Sequence, residues 1–234
     1  MKAFELTRFE MDDVIRRGAI AIVPIGSCEQ HGPHLPLGTD TYLAEYLSEQ
    51  LAKRIDAVIF PSVNFGYSWV WTGMPGTITL SQNLFKDLLM EIGDSLVTMG
   101  FKRILFVNGH DSNKMAIKYV LRDLKDKYNE DMFLNIFYPN MSKIYNEHME
   151  SDTWGGMFHA DEFETSLMLA YDEKLVHMDK ACKEYPERPK YYGLDSSTLV
   201  DVSKSGVFGD ATLATKEKGE KMMDAFVEYI VSVL

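Results

Sequence analysis

The chain has 234 residues, 46% hydrophobic and 25% charged, which suits a single folded domain spanning 1–234 and excludes a disordered polypeptide. A net charge of -11 disfavours nucleic acid as a partner, because binding a phosphate backbone relies on clustered Lys and Arg. Cys28 and Cys182 stand far apart outside any C-x-x-C pair, the first residues lack an apolar signal core, and no stretch approaches a membrane span, so a cytoplasmic protein is expected.

Strand-like and helix-like segments alternate along the chain. Residues 19–25 read as a buried strand, and residues 42–55 place Tyr42, Leu43, Tyr46, Leu47 and Leu51 at the spacing of an amphipathic helix. Residues 57–63 are a second apolar run, bounded by Pro61. After a loop bearing Gly and Trp, residues 77–80 read as a short strand and 84–99 as a helix that stops at a Gly100 cap. Residues 103–107 are a third buried strand, followed by a helix over 113–128 with Asn113 as its cap and a strand-like stretch over 132–138. Residues 183–205, with Pro186, Pro189 and Gly193, read as irregular, and 216–234 as a closing helix. This order predicts an α/β fold, a three-layer α/β/α sandwich around a mostly parallel sheet.

Directly behind the first strand, the loop Glu29-Gln-His31-Gly-Pro-His34-Leu-Pro-Leu-Gly-Thr-Asp40 holds two carboxylates and two imidazoles. It falls at the carboxyl end of the strand, where open α/β sheets deliver ligand-binding groups. Zn²⁺ and Mn²⁺ accept this mixture of nitrogen and oxygen donors. Glu29 and His31, one residue apart, point to one side of an extended backbone, and Pro33, Pro36 and Gly38 turn the chain so that Asp40 can return and bridge two ions. The alternative is a polar helix start, with Thr39 or Asp40 as N-cap and the imidazoles in solvent. Cys28 reads as a small buried filler rather than a nucleophile.

Two further segments converge on the same edge. His110, in Asn108-Gly109-His110 after the third strand, can complete a metal shell, with Gly109 giving a tight turn. The segment His159-Ala-Asp161-Glu162-Phe-Glu164-Thr-Ser leads into a helix whose first turn favours acidic residues. Glu162 and Glu164 diverge on that helix, so one of them faces the site. His159, just before it, is placed to donate or accept a proton. His148 and His177 lie outside every motif and read as surface residues.

Together these segments resemble the creatinine amidohydrolase (creatininase) family, whose pattern runs E-x-H-G-x-H-L-P, an Asp, N-G-H and H-A-x-E-x-E-T-S. A late Gly206-Val-Phe-Gly-Asp210 also looks like that family's G-V-x-G-D segment. The resemblance implies a homo-oligomeric (hexameric) hydrolase that cleaves a cyclic amide or other amide-type C–N bond of a small molecule through a metal-activated water. It implies two divalent ions, Zn or Mn with Fe also admissible. Glu29 and His110 would hold one, His31 the other, and Asp40 would bridge. Creatininase carries a metal-binding Glu two positions after the N-G-H histidine, where this chain has Ser112. Glu164 is then the remaining carboxylate ligand, with Asp111 as the alternative. His159 would pass a proton to the leaving nitrogen. Trp71, Asp111 and Trp154 are the expected substrate contacts, although ordinary loop packing also accounts for Trp69 and Trp71. His34 is expected to support the site rather than ligate. The alternatives are hydrolysis of a formamide or a cyclic ketone (a C–C bond) on the same site, or a metal-binding protein without turnover.

Overall fold

The computed structural model describes residues 1–128, 133–154 and 159–234. Among these, β1 (Ile20–Ile25), β2 (Ala57–Ile59), β3 (Ile104–Asn108) and β4 (Phe133–Ile136) form one sheet in the order β2-β1-β3-β4, with every pair parallel. β1 and β3 are buried on both faces, which is why they read as unbroken apolar runs.

The side-chain alternation divides the core. Ile20 and Ile22 of β1, with Leu105 and Val107 of β3, pack on α2 (Thr39–Ala52), α5 (Met141–His148), α6 (Glu162–Asp172) and α7 (Lys216–Val233). Ala21, Val23 and Ile25, with Ile104 and Phe106, pack on α1 (Arg8–Arg16), α3 (Gln82–Met99) and α4 (Lys114–Tyr128). Three layers result, as the sequence predicts. From β1 the chain pairs to one side with β2 and to the other with β3, so the loops leaving β1 and β3 part at a switch point and open a crevice at their carboxyl ends.

Several elements differ from expectation. Residues 77–80 form no strand; Ile78 makes a single antiparallel bridge to Cys28. The second apolar run gives a strand of only three residues: Phe60 still donates its N–H to the Ile22 carbonyl at 2.8 Å, Pro61 has none to donate, and Val63 returns for one bridge to Ile25. α2 starts earlier than the apolar spacing indicates, with Gly38 as N-cap and no side-chain cap. α1 and α5 went unread in the sequence, although Thr7 and Glu10 form a complete capping box before α1. Met132 lies outside the described residues. Gly100 caps α3 at φ 106, as expected. Asn113 does not cap α4: its amide donates to the Gly26 carbonyl at 3.0 Å, and its oxygen accepts from the Tyr67 N–H at 2.9 Å, tying three loops beneath the site.

Candidate metal centre

The loop after β1 carries Glu29 and His31 into the crevice, and the first turn of α2 carries Asp40 back against them; all three are 1% exposed. Gly109 is needed here for close approach rather than for a left-handed turn, since a Cβ would fall 2.0 Å from the Asp40 carbonyl oxygen. His110 can therefore sit directly above Asp40. From the third segment, Asp161 caps α6 by accepting from the Phe163 N–H at 3.0 Å. Ala160, at a left-handed φ of 50, donates its N–H to Glu164 Oε2 at 2.6 Å. Glu164 thereby faces the site. Glu162 faces away, accepting from the N–H groups of Glu150 and Ser151 at 2.9 and 2.6 Å and from Lys218.

Asp40 lies between two imidazoles. Its Oδ1 is 3.4 Å from His31 Nε2 and its Oδ2 is 3.0 Å from His110 Nδ1. Glu29 Oε2 is 3.5 Å from His110 Nε2, and Glu164 Oε2 is 3.6 Å from His31 Nε2. His159 Nδ1 stands 3.8 Å from Glu29 Oε1 and 4.0 Å from Glu164 Oε2. Three groupings of donor atoms are compact enough to hold an ion: Glu29, Asp40 and His110; His31, Asp40 and Glu164; and Glu29, His31 and His159.

The donor chemistry fits divalent cations. Each imidazole sets one nitrogen against a main-chain carbonyl: His31 Nδ1 at 3.2 Å from Glu29, His110 Nε2 at 3.1 Å from Tyr67, and His159 Nε2 at 2.9 Å from Gln30. That turns the other nitrogen toward the carboxylates, the arrangement that orients metal-binding histidines, and the Gln30 side-chain amide nitrogen also lies 2.8 Å from His159 Nε2. Glu29 Oε2, His31 Nε2 and Asp40 Oδ2 are buried without a hydrogen-bond partner, which a polar helix start would not produce.

Electrostatics agree. Burial opposes charge on His31, but Asp40, Glu164 and Glu29 outweigh it and lift its pKa to about 9. Burial likewise opposes charge on His110, which Glu29 and Asp40 raise to about 10. Burial raises Glu164 to about 7 against the pull of His31, and raises Glu29 as well. For Asp40 the two imidazoles overcome burial and hold the carboxyl below the usual range. This carboxylate cluster attracts positive charge strongly. His159, depressed first by burial and then by His31, stays neutral.

A cavity of about 370 Å³ opens on the cluster, lined by Glu29, Asp40, His110, His159 and Glu164 together with Trp71, Tyr138 and Phe163. Trp71 is 2% exposed and stacks on His159 at 4.7 Å between ring centroids, fixing the imidazole plane. Asp111 is exposed at the cavity mouth and paired with Lys114, so Glu164 rather than Asp111 lies beside His31. Trp154 stands behind the wall, packed edge-on against Phe208 at 5.1 Å and Tyr192 at 4.9 Å. His34 is buried outside the three groupings, sharing a hydrogen bond of 2.8 Å with Thr165. Cys28 is half-buried rather than buried, with its thiol 3.4 Å from the Gly76 carbonyl. His177 is exposed and His148 half-buried.

Three contributors escaped the sequence reading: Gln30, Tyr67 and Tyr138. For Tyr138 a signal existed, since it follows a strand at the same carboxyl edge. For Tyr67 the contribution is a backbone carbonyl, to which side-chain type gives no clue, whereas Gln30 adds its side-chain amide, 2.8 Å from His159 Nε2 and donating to the Gly206 carbonyl at 3.1 Å.

The family model for creatinine amidohydrolase matches residues 4–234. A 3-dehydro-scyllo-inosose hydrolase of Thermotoga maritima is 26% identical, over 96% of this chain and 79% of the relative. A mycofactocin precursor peptide peptidase of Mycolicibacterium smegmatis is 31% identical, over 89% of this chain and 81% of its own. Among solved structures, a Zn-Zn type creatininase variant superposes with a TM-score of 0.85 at 26% identity, covering 99% of this chain and 96% of that one. With the motifs brought together at one sheet edge and the match running through nearly the whole sequence, the chain belongs to the creatininase family of hydrolases.

Proposed function

We propose that the protein hydrolyses an amide-type C–N bond of a small molecule, with two divalent ions held by Glu29, Asp40 and His110 and by His31, Asp40 and Glu164. The observation that carries this is Asp40, whose two oxygens address two different imidazoles at the floor of the cavity. Divalent ions, with zinc or manganese best suited to these donors, would polarise the scissile carbonyl and acidify a water.

The chain's own residues supply the rest. His159, neutral and with Nδ1 turned to the site, takes the proton of the attacking water and returns it to the leaving nitrogen, while Nε2 stays bonded to Gln30. Trp71 holds the imidazole plane and closes one side against water. Ser112 stands on the cavity wall where creatininase has a carboxylate, so creatinine itself is expected to be a poor substrate.

We read the chain as one domain, because both buried clusters share one sheet, and, from its family resemblance, as a homo-oligomer. Among the described residues no helix is long and apolar enough to cross a membrane. The two free cysteines suit a cytoplasmic setting. The test is turnover of the zinc- or manganese-loaded protein on lactams, formamides and cyclic ketones, the last included because one relative is named as an inosose hydrolase. Hydrolysis of a C–N bond that chelation abolishes and metal restores supports the assignment. Metal binding without turnover of any member favours a binding protein.

A further inference from the structure

Tyr138 lies two residues beyond β4, is 3% exposed, and lines the cavity with the carboxylate cluster. Its hydroxyl has no hydrogen-bond partner among the described residues. That is unusual, because a buried phenol ordinarily finds a partner and loses stability without one.

The ring is fixed on several sides. Phe163 and Phe137 meet it edge-on at 5.2 and 5.0 Å, and Phe226 lies tilted against it at 5.3 Å. The backbone at Tyr138 has φ 31, in the left-handed region that residues with a side chain rarely adopt. Such strain persists where the surroundings over-determine a position, and it concentrates at functional sites. Packing alone would be served equally by phenylalanine. The molecule instead holds a donor rigidly at a cavity wall and leaves it unused by the protein.

We propose that Tyr138 is a specificity-determining residue whose hydroxyl donates a hydrogen bond to a second polar oxygen on the substrate, beside the scissile carbonyl. The inference rests on the hydrolase reading above and narrows it to small rings bearing a second carbonyl or hydroxyl oxygen, in preference to plain lactams. A site built to bond a substrate oxygen discriminates against the analogue that lacks it, because the donor is then left buried and unpaired.

The test compares zinc-loaded parent protein with Tyr138→Phe, titrated with succinimide and with 2-pyrrolidinone, five-membered rings that differ by one carbonyl oxygen. The parent should bind succinimide about tenfold more tightly, the scale of one neutral hydrogen bond. Tyr138→Phe should lose that preference by weakening on succinimide alone. Zinc content should be unchanged and the melting temperature equal or higher, since the hydroxyl has no bond in the protein to lose. A preference that survives in the variant, no preference in the parent, or no binding of either ring overturns the proposal. A variant that melts lower while keeping the preference assigns the hydroxyl a structural role and also overturns it. Preferential binding with no hydrolysis of either ring supports the role of Tyr138 and counts against the hydrolase reading instead.

Discussion

His31 Nε2 lies 3.6 Å from Glu164 Oε2, joining the loop after β1 to the first turn of α6. The contact sets a carboxylate beside His31, where the proposed second ion would need one. Ala160 N–H holds Glu164 Oε2 at 2.6 Å, so the carboxylate is aimed by backbone as well as by its helix. Glu164→Gln keeps the shape and removes the charge. We expect it to retain one ion per chain, to bind the second at least 10-fold to 100-fold more weakly, and to lose activity in parallel. Isothermal titration with Zn²⁺ checks this, and two equal tight sites in the variant would exclude Glu164 as a ligand.

His159→Ala should separate chemistry from metal binding. The imidazole is stacked on Trp71 and anchored by Gln30, and the ions assigned here have their donors without it. Turnover should fall by about two to four orders of magnitude, the usual contribution of a positioned acid or base, with metal content kept. Metal loss in proportion to activity would instead make His159 a ligand with Glu29 and His31, a grouping the geometry also permits.

Much of this site was legible because its parts are local. Glu29, His31 and Asp40 sit within one loop behind an apolar run, and the rule that strands present ligands at their carboxyl ends places His110 beside them. The divergence of Glu162 and Glu164 also follows from helix geometry alone, and the structure turns them to opposite sides. That Glu164 lies beside His31 while Asp111 is exposed and paired with Lys114 shows only in the tertiary structure. For Tyr138 the sequence offers its place after a strand at the same edge, but that its hydroxyl is unpartnered shows only in the structure. α5 was hidden by its length and by Pro139, although Met141, Ile144 and Tyr145 keep helical spacing. Residues 77–80 misled because alternation reports an extended backbone, whereas a strand also needs a neighbour to pair with.

Acid should loosen the segment that supports Gln30. Glu184 accepts hydrogen bonds from the Ser203 hydroxyl at 2.8 Å, the Lys204 N–H at 2.9 Å, the Ser205 N–H at 2.8 Å and the Ser205 hydroxyl. Burial works against its charge, but these bonds, led by the Ser205 hydroxyl, lower its pKa from 4.5 to about 2. A carboxyl depressed in the folded state contributes stability above its unfolded pKa and loses it as pH falls through the folded value. The contribution is therefore complete above pH 4.5 and gone near pH 2. Gly206, at the end of this turn, accepts from Gln30 Nε2 at 3.1 Å, so the loss reaches the anchor of His159. Melting temperatures of Glu184→Gln and the parent should differ at pH 7 and converge toward pH 2. A difference that is constant with pH would assign the stabilisation to shape rather than charge.

The central claim is that Asp40 bridges two ions, and metal stoichiometry tests it most directly. Parent protein and Asp40→Ala would each be loaded with Zn²⁺, dialysed exhaustively, and measured for zinc per chain by elemental analysis. The account predicts about two ions per parent chain, most of the metal and all activity lost from Asp40→Ala, and a circular dichroism spectrum unchanged by the substitution. Two tightly held ions in Asp40→Ala would contradict it.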